Sequence, residues 1–237
     1  MKRFVIALAA WLVLTTSLVT LAVWSQPVHR AVLGMGWGLI LFWIGAGGGL
    51  MYRYRDALRA LALKWRWPWT VKFVLLATAL ALLEEAITTT MTDFAPLFGV
   101  RVGQAYITAS ANYLDVVLCH SVVVFIPGFV AWACLLSKVR FSAAQVFVLY
   151  GLFGILAECS FGPQHALEFG LGIFVYGLMV WLPAYVTEPD RTGRPPRWWH
   201  FPIAVVLPAL SVALLPTPLL IKLLSPGHPV IHFPPIG

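Results

Sequence analysis

Seven apolar runs dominate this chain. Each is about 20 residues long, the length a helix needs to cross a bilayer core of about 30 Å. They lie at about 4–24, 31–51, 70–92, 113–137, 143–161, 165–186 and 201–222. Together they predict an all-α fold, a single polytopic membrane helix bundle over residues 1–237. Composition agrees: charged residues make up 11% of the chain, against about 25% in soluble domains. The first run follows Lys2 and Arg3, as a signal peptide would. Its length and the unfavourable cleavage sequence Ala22-Val23-Trp24 favour a retained span.

The basic residues predict orientation. Lys2 and Arg3 precede the first run. Arg53, Arg55, Arg59, Lys64, Arg66 and Lys72 separate the second from the third. Lys138 and Arg140 follow the fourth, and Arg191, Arg194 and Arg197 follow the sixth. Thirteen of the sixteen basic residues thus share one side, leaving Arg30, Arg101 and Lys222 for the other. The positive-inside rule then predicts a cytoplasmic N-terminus and an extracytoplasmic C-terminus. The formal charge of +7 comes from these short loops, so it calls for no nucleic-acid partner; membrane lipids are the expected surroundings. Cys119, Cys134 and Cys159 all fall in apolar runs without a CxxC pair, as small buried hydrophobes do.

The loops carry their own signals. Residues Tyr52 to Trp69 interleave Arg59, Lys64 and Arg66 with Leu61, Leu63, Trp65, Trp67 and Trp69, which predicts a short interfacial helix along the inner headgroups. Gly45, Gly47, Gly48 and Gly49 suit close helix packing. Residues 93–112 are punctuated by Pro96, Gly99, Arg101 and Gly103, and fit either a re-entrant lid or an ordinary outer loop. The proline-rich tail from Ser225 is expected to be extended. His29, His228 and His232 fall in outer loops or the tail, where metal binding by the tail pair is the lesser reading. His200 is expected at the interface.

Six of the nine acidic residues lie within or at the ends of the apolar runs: Glu84, Glu85, Asp93, Asp115, Glu158 and Glu168. A charge at mid-membrane costs about 2.5–3.5 kcal/mol on insertion scales, so such groups mark function or need partners. The predicted orientation draws them, with His120 and His165, into one zone in the outer half of four consecutive spans. Helical spacing divides the set. Asn112 and Asp115, and His165 and Glu168, are i,i+3 neighbours on shared faces. Asp115 and His120 lie about 140° apart on an α-helix, and Glu84 and Glu85 about 100° apart, so one glutamate is expected to face away from a narrow site.

Three chemistries suit these residues. A zinc or iron site would draw on Glu85 (or Glu84), His120, Glu158 and His165. A metal-free site would use a buried glutamate as general base with a histidine polarising the substrate. A third possibility is a polar cluster that holds the helices in register. The order Glu84-Glu85, then His120, then His165 resembles the motifs of the CAAX-protease and bacteriocin-processing family of intramembrane glutamate proteases, which carry EExxxR, FxxxH and HxxxN. Thr89 stands at the arginine position, Val116 at the phenylalanine and Phe169 at the asparagine. The resemblance spans about residues 80–170. It implies that Glu84 or Glu85 activates water, with His120 and His165 assisting. The functional expectation is an intramembrane hydrolase for a lipid-like or membrane-inserted substrate. The alternatives are a non-catalytic subunit with membrane-protein partners and an ion-coupled transporter.

Overall fold

The computed structural model describes residues 2–159, Gly162, 169–214 and 227–233. Every regular element among them is helical. We number them α1 (Lys2–Ala22), α2 (Pro27–Lys64), α3 (Trp69–Asp93), α4 (Tyr113–His120), α5 (Val122–Lys138), α6 (Ala143–Glu158), α7 (Phe169–Thr187) and α8 (His200–Leu214). These positions track the apolar runs closely. Helices Arg3–Ala22, Pro27–Lys64 and Phe169–Asp190 are long and apolar enough to cross a membrane, and a fourth span follows if α4 and α5 count as one helix bent by 48°. Among the described residues, the expected seven are therefore not all met by length and composition. The 16 residues of α6 reach only about 24 Å at 1.5 Å per residue, and α8 is likewise a shorter apolar helix.

α7 is the hub of the bundle, packing against α1, α2, α3 and α6. Its sequence explains this: thirteen of its residues are buried on all sides of the helix, as in a helix apolar all round. Trp43 of α2 locks on by donating its indole N–H to the Val175 carbonyl at 3.1 Å, fully buried. α1 is the opposite case. Phe4, Ile6, Trp11, Val13, Leu14, Leu18, Val19 and Leu21 are all exposed, so this helix shows the bundle's surroundings an apolar surface that water would not tolerate.

The tightest helix approach falls where the glycine run did not predict it. A Cβ on Gly151 of α6 would sit 2.7 Å from the Ile173 backbone, and one on Gly177 of α7 would sit 2.6 Å from the Phe147 carbonyl. Small residues let these two backbones meet, the usual device of packing inside a membrane. The obstruction is backbone, which cannot swing aside. Gly151→Val is therefore expected to destabilise the bundle by about 1–3 kcal/mol, the usual cost of overpacking. A drop in the thermal midpoint of the detergent-solubilised protein checks it.

One end of the bundle is stitched by basic residues. Arg59 donates to the Tyr185 carbonyl at 2.8 and 3.1 Å and pairs with Glu188 at 3.1 Å. Lys72, itself buried, pairs with Asp190 at 3.3 Å. Arg191 is buried and donates to the carbonyls of Phe141 and Ala184 at 2.9 and 3.0 Å. Burial draws its pKa below the ordinary arginine value. Arg191→Ala leaves those two carbonyls without their donor, at about 1–3 kcal/mol for each buried orphan. Urea unfolding should report the loss.

Two local expectations change. The segment after Tyr52 is not a separate interfacial helix: α2 runs unbroken for 38 residues, about 57 Å, and carries its arginines straight past the apolar stretch. Cys134 is exposed rather than buried.

Candidate functional site

The end of the bundle away from the basic stitching holds the polar residues. α4 begins with Asn112, whose side-chain oxygen accepts from the backbone N–H groups of Leu114 and Asp115 at 3.0 and 3.3 Å. Asn112 thus caps the helix rather than sharing a helical face with Asp115. The helix then changes pitch. Residues Val116–His120 form a π-helix, with the Ser121 N–H reaching back five residues to the Val116 carbonyl at 2.9 Å. The wider turn makes a five-residue separation close to one full turn, so Asp115 and His120 come to the same side. The 140° separation expected of an α-helix is overturned for that reason. π turns of this kind recur at functional sites.

The tail completes the cluster. Residues 227–233 are non-helical and lie along the loop that precedes α4. The His232 N–H donates to the Ala109 carbonyl at 2.8 Å, and Phe233 stacks on Tyr106. Before these contacts the loop makes the 3₁₀ turn Ala95–Phe98 and passes through the left-handed Gly99 and Gly103, with Phe94 and Leu97 exposed. His228 Nε2 lies 2.9 Å from Asp115 Oδ1, and His232 Nδ1 lies 3.0 Å from Asp115 Oδ2. His120 Nε2 is 3.0 Å from His228 Nε2 and 3.7 Å from Asp115 Oδ2. Asp115 and His120 are 12% and 10% exposed, whereas His232 is 55% exposed. One carboxylate therefore gathers three imidazoles at the rim of the bundle.

A second cluster lies beside the first. Glu84 and Glu85 of α3 are both buried. Because α3 is flanked by α5 and α7, both of their diverging directions lead into protein. The Thr88 hydroxyl donates to Glu85 Oε2 at 3.1 Å, and the hydroxyls of Ser121 and Thr108 lie beside the same carboxyl. Ser121 follows His120 directly, which joins the two clusters across the bend. Glu84 lies within Coulomb range of Glu85 and of Glu158 at the end of α6. The Tyr176 hydroxyl of α7 donates to Glu158 Oε1. The Tyr113 hydroxyl donates to the Leu82 carbonyl at 3.0 Å and stands near Glu85.

Of the expected site residues, Glu84, Glu85 and Glu158 share one buried cluster, and His120 borders it. Asp93 is exposed at the end of α3. His165 and Glu168 lie outside the described residues. The expected ligand set of Glu85, His120, Glu158 and His165 reaches outside the described residues through His165. Among them, the group whose ligand atoms all lie within 4.8 Å of one another is Asp115, His120 and His228. The π turn brings His120 to the side of Asp115. For His228, sequence reasoning held metal binding by the tail pair as the lesser reading. Its signal was the spacing of His228 and His232 about Pro229, on the side that already held His120 and Asp115.

Comparison with family models, with curated proteins and with solved structures finds no match to this chain.

Proposed function

We propose that this chain is an integral membrane hydrolase with seven spans and a cytoplasmic N-terminus. In this reading its site opens to the extracytoplasmic side and takes a lipid-like or membrane-inserted substrate. The observation that carries the proposal is the burial of Glu84 and Glu85 beside Glu158 and the Tyr176 hydroxyl, next to Ser121 and His120. Neighbouring carboxyls can hold one group as base and another as acid, the pairing hydrolysis needs. Glu85 takes a proton from water, and the water oxygen bonds to the electrophilic carbon or phosphorus. The scissile bond breaks, and the leaving group takes a proton from the Tyr176–Glu158 pair. The Tyr113 and Thr108 hydroxyls lie beside Glu85. The order of glutamate pair and histidine resembles that of the CAAX-protease family and supports the same assignment of Glu84 or Glu85 to water.

Transport is the weaker reading for a stated reason. Towards the basic end, the interior beyond the carboxyls is filled by Phe73, Phe129, Trp132 and Tyr150, all fully buried. A site blocked at one end suits chemistry better than passage.

The test uses the purified full chain in nanodiscs with a mixed membrane-lipid extract and a set of transmembrane peptides, products being read by mass spectrometry. Product formed by the native protein and absent with Glu85→Gln supports the reading; no product from any substrate class overturns it. Orientation is checked separately in intact cells, with the native cysteines replaced by serine. A cysteine at Pro229 should react with an impermeant maleimide, and one at Leu63 should react only after lysis. The reverse pattern would invert the proposed topology.

A further inference from the structure

We propose that Asp115, His120 and His228 bind one divalent transition-metal ion of the zinc class. The donor set is two imidazole nitrogens and one carboxylate, which zinc accepts at catalytic centres with a fourth position left for water. Calcium and magnesium prefer all-oxygen sites. The spacing fits as well as the chemistry. Ligands about 2.0–2.1 Å from a tetrahedral ion stand about 3.3 Å apart. Here His228 Nε2 lies 2.9 Å from Asp115 Oδ1, His120 Nε2 lies 3.7 Å from Asp115 Oδ2, and the two Nε2 atoms are 3.0 Å apart; taking one ligand atom from each residue, all three lie within 4.8 Å of one another. Two imidazole Nε2 atoms also face each other at 3.0 Å. A cation between them would take both lone pairs; without one, an N–H on one ring donates to the lone pair of the other.

The surroundings are those of a built site. The π turn sets His120 towards Asp115, and the Asn112 cap fixes the start of the helix that carries both. Ser110 lies beside the Asp115 carboxylate. His232 Nδ1 contacts Asp115 Oδ2, which orients the carboxylate as outer-shell partners do for ligands; His232 is a positioning residue. The tail brings His228 from 108 positions away in sequence, so metal binding and tail docking are coupled. Ligand geometry alone fixes the ion's place. Its use rests on the hydrolase reading: a cation here would polarise a substrate oxygen held over Glu85 and Ser121.

The experiment uses the full chain in detergent, stripped with a chelator and reloaded with Zn²⁺. Metal content is read by inductively coupled plasma mass spectrometry, and affinity by competition with a chromophoric chelator. The native protein should hold one Zn²⁺ per chain. His228→Ala and Asp115→Asn should lower affinity by more than about 100-fold, and His232→Ala by about 10–100-fold, as for an outer-shell partner. His228 lies in the tail, so its variant tests the site without disturbing the bundle. Zn²⁺ should also raise the thermal midpoint of the native protein and not that of His228→Ala. Glu85→Gln should keep the metal while losing hydrolysis, so failure of the hydrolase reading leaves this result intact. Substoichiometric metal after loading, or equal affinity in His228→Ala, overturns the site. Loss of metal in Glu85→Gln alone would place the ion among the buried carboxyls and overturn it too.

Discussion

Glu85→Gln is expected to slow turnover about 10²–10⁴-fold, the range that a positioned general base supplies. The substitution keeps the shape of the side chain and an oxygen for the Thr88 hydroxyl, which donates at 3.1 Å. It removes the capacity to take a proton from water. Binding of a substrate analogue should change little, because the effect belongs to the reacting state. The same variant separates chemistry from architecture. If the carboxyls only held helices in register, the loss should appear as a lowered thermal midpoint. If they serve catalysis, neutralising a buried acid should leave the midpoint unchanged or raise it, since burying a charge is costly and active sites carry such costs for function. Turnover within threefold of native, together with a lower midpoint, would sink the catalytic reading. Glu84→Gln is the comparison, one residue away and also buried, where Thr88 bonds the backbone carbonyl rather than the carboxyl.

Hydropathy made the helices legible because their lengths and positions follow from burying apolar side chains in lipid. The run at about 70–92 became Trp69–Asp93, and that at about 143–161 became Ala143–Glu158. The zone of carboxyls was legible for the same reason, since an acid in an apolar run is conspicuous. Two features were not legible. The π turn at Val116–His120 leaves no trace in composition; the same five residues read as α-helix send His120 away from Asp115. The tail was hidden by distance. His228 meets His120 and Asp115 only because residues 227–233 fold back over the loop before α4, a contact no local period encodes. Residue types near the membrane boundary could be grouped by side, but their pairing depended on backbone pitch and on a long-range fold-back.

Asp115 is the residue on which that fold-back turns, and Asp115→Ala is expected to release the tail. Its carboxylate meets His228 at 2.9 Å and His232 at 3.0 Å. Hydrogen bonds to a charged partner contribute about 1.5–3 kcal/mol each. At the lower figure, both together hold the tail by about 3 kcal/mol, a factor of about 100 in the opening equilibrium. The His232 N–H reads this directly, because it is bonded to the Ala109 carbonyl at 2.8 Å and exchanges with solvent only when the tail lifts. Hydrogen exchange at His232 should therefore accelerate about 100-fold in Asp115→Ala when metal is absent in both proteins. Exchange in the middle of α7 should not change, since its protection comes from the bundle. Asp115→Asn keeps an acceptor without the charge and should fall between the two. Equal exchange at His232 in native and Asp115→Ala would mean that Tyr106–Phe233 stacking holds the tail by itself. The histidines would then be passengers on a segment docked by its aromatic ring, and the coupling between tail and site would be lost.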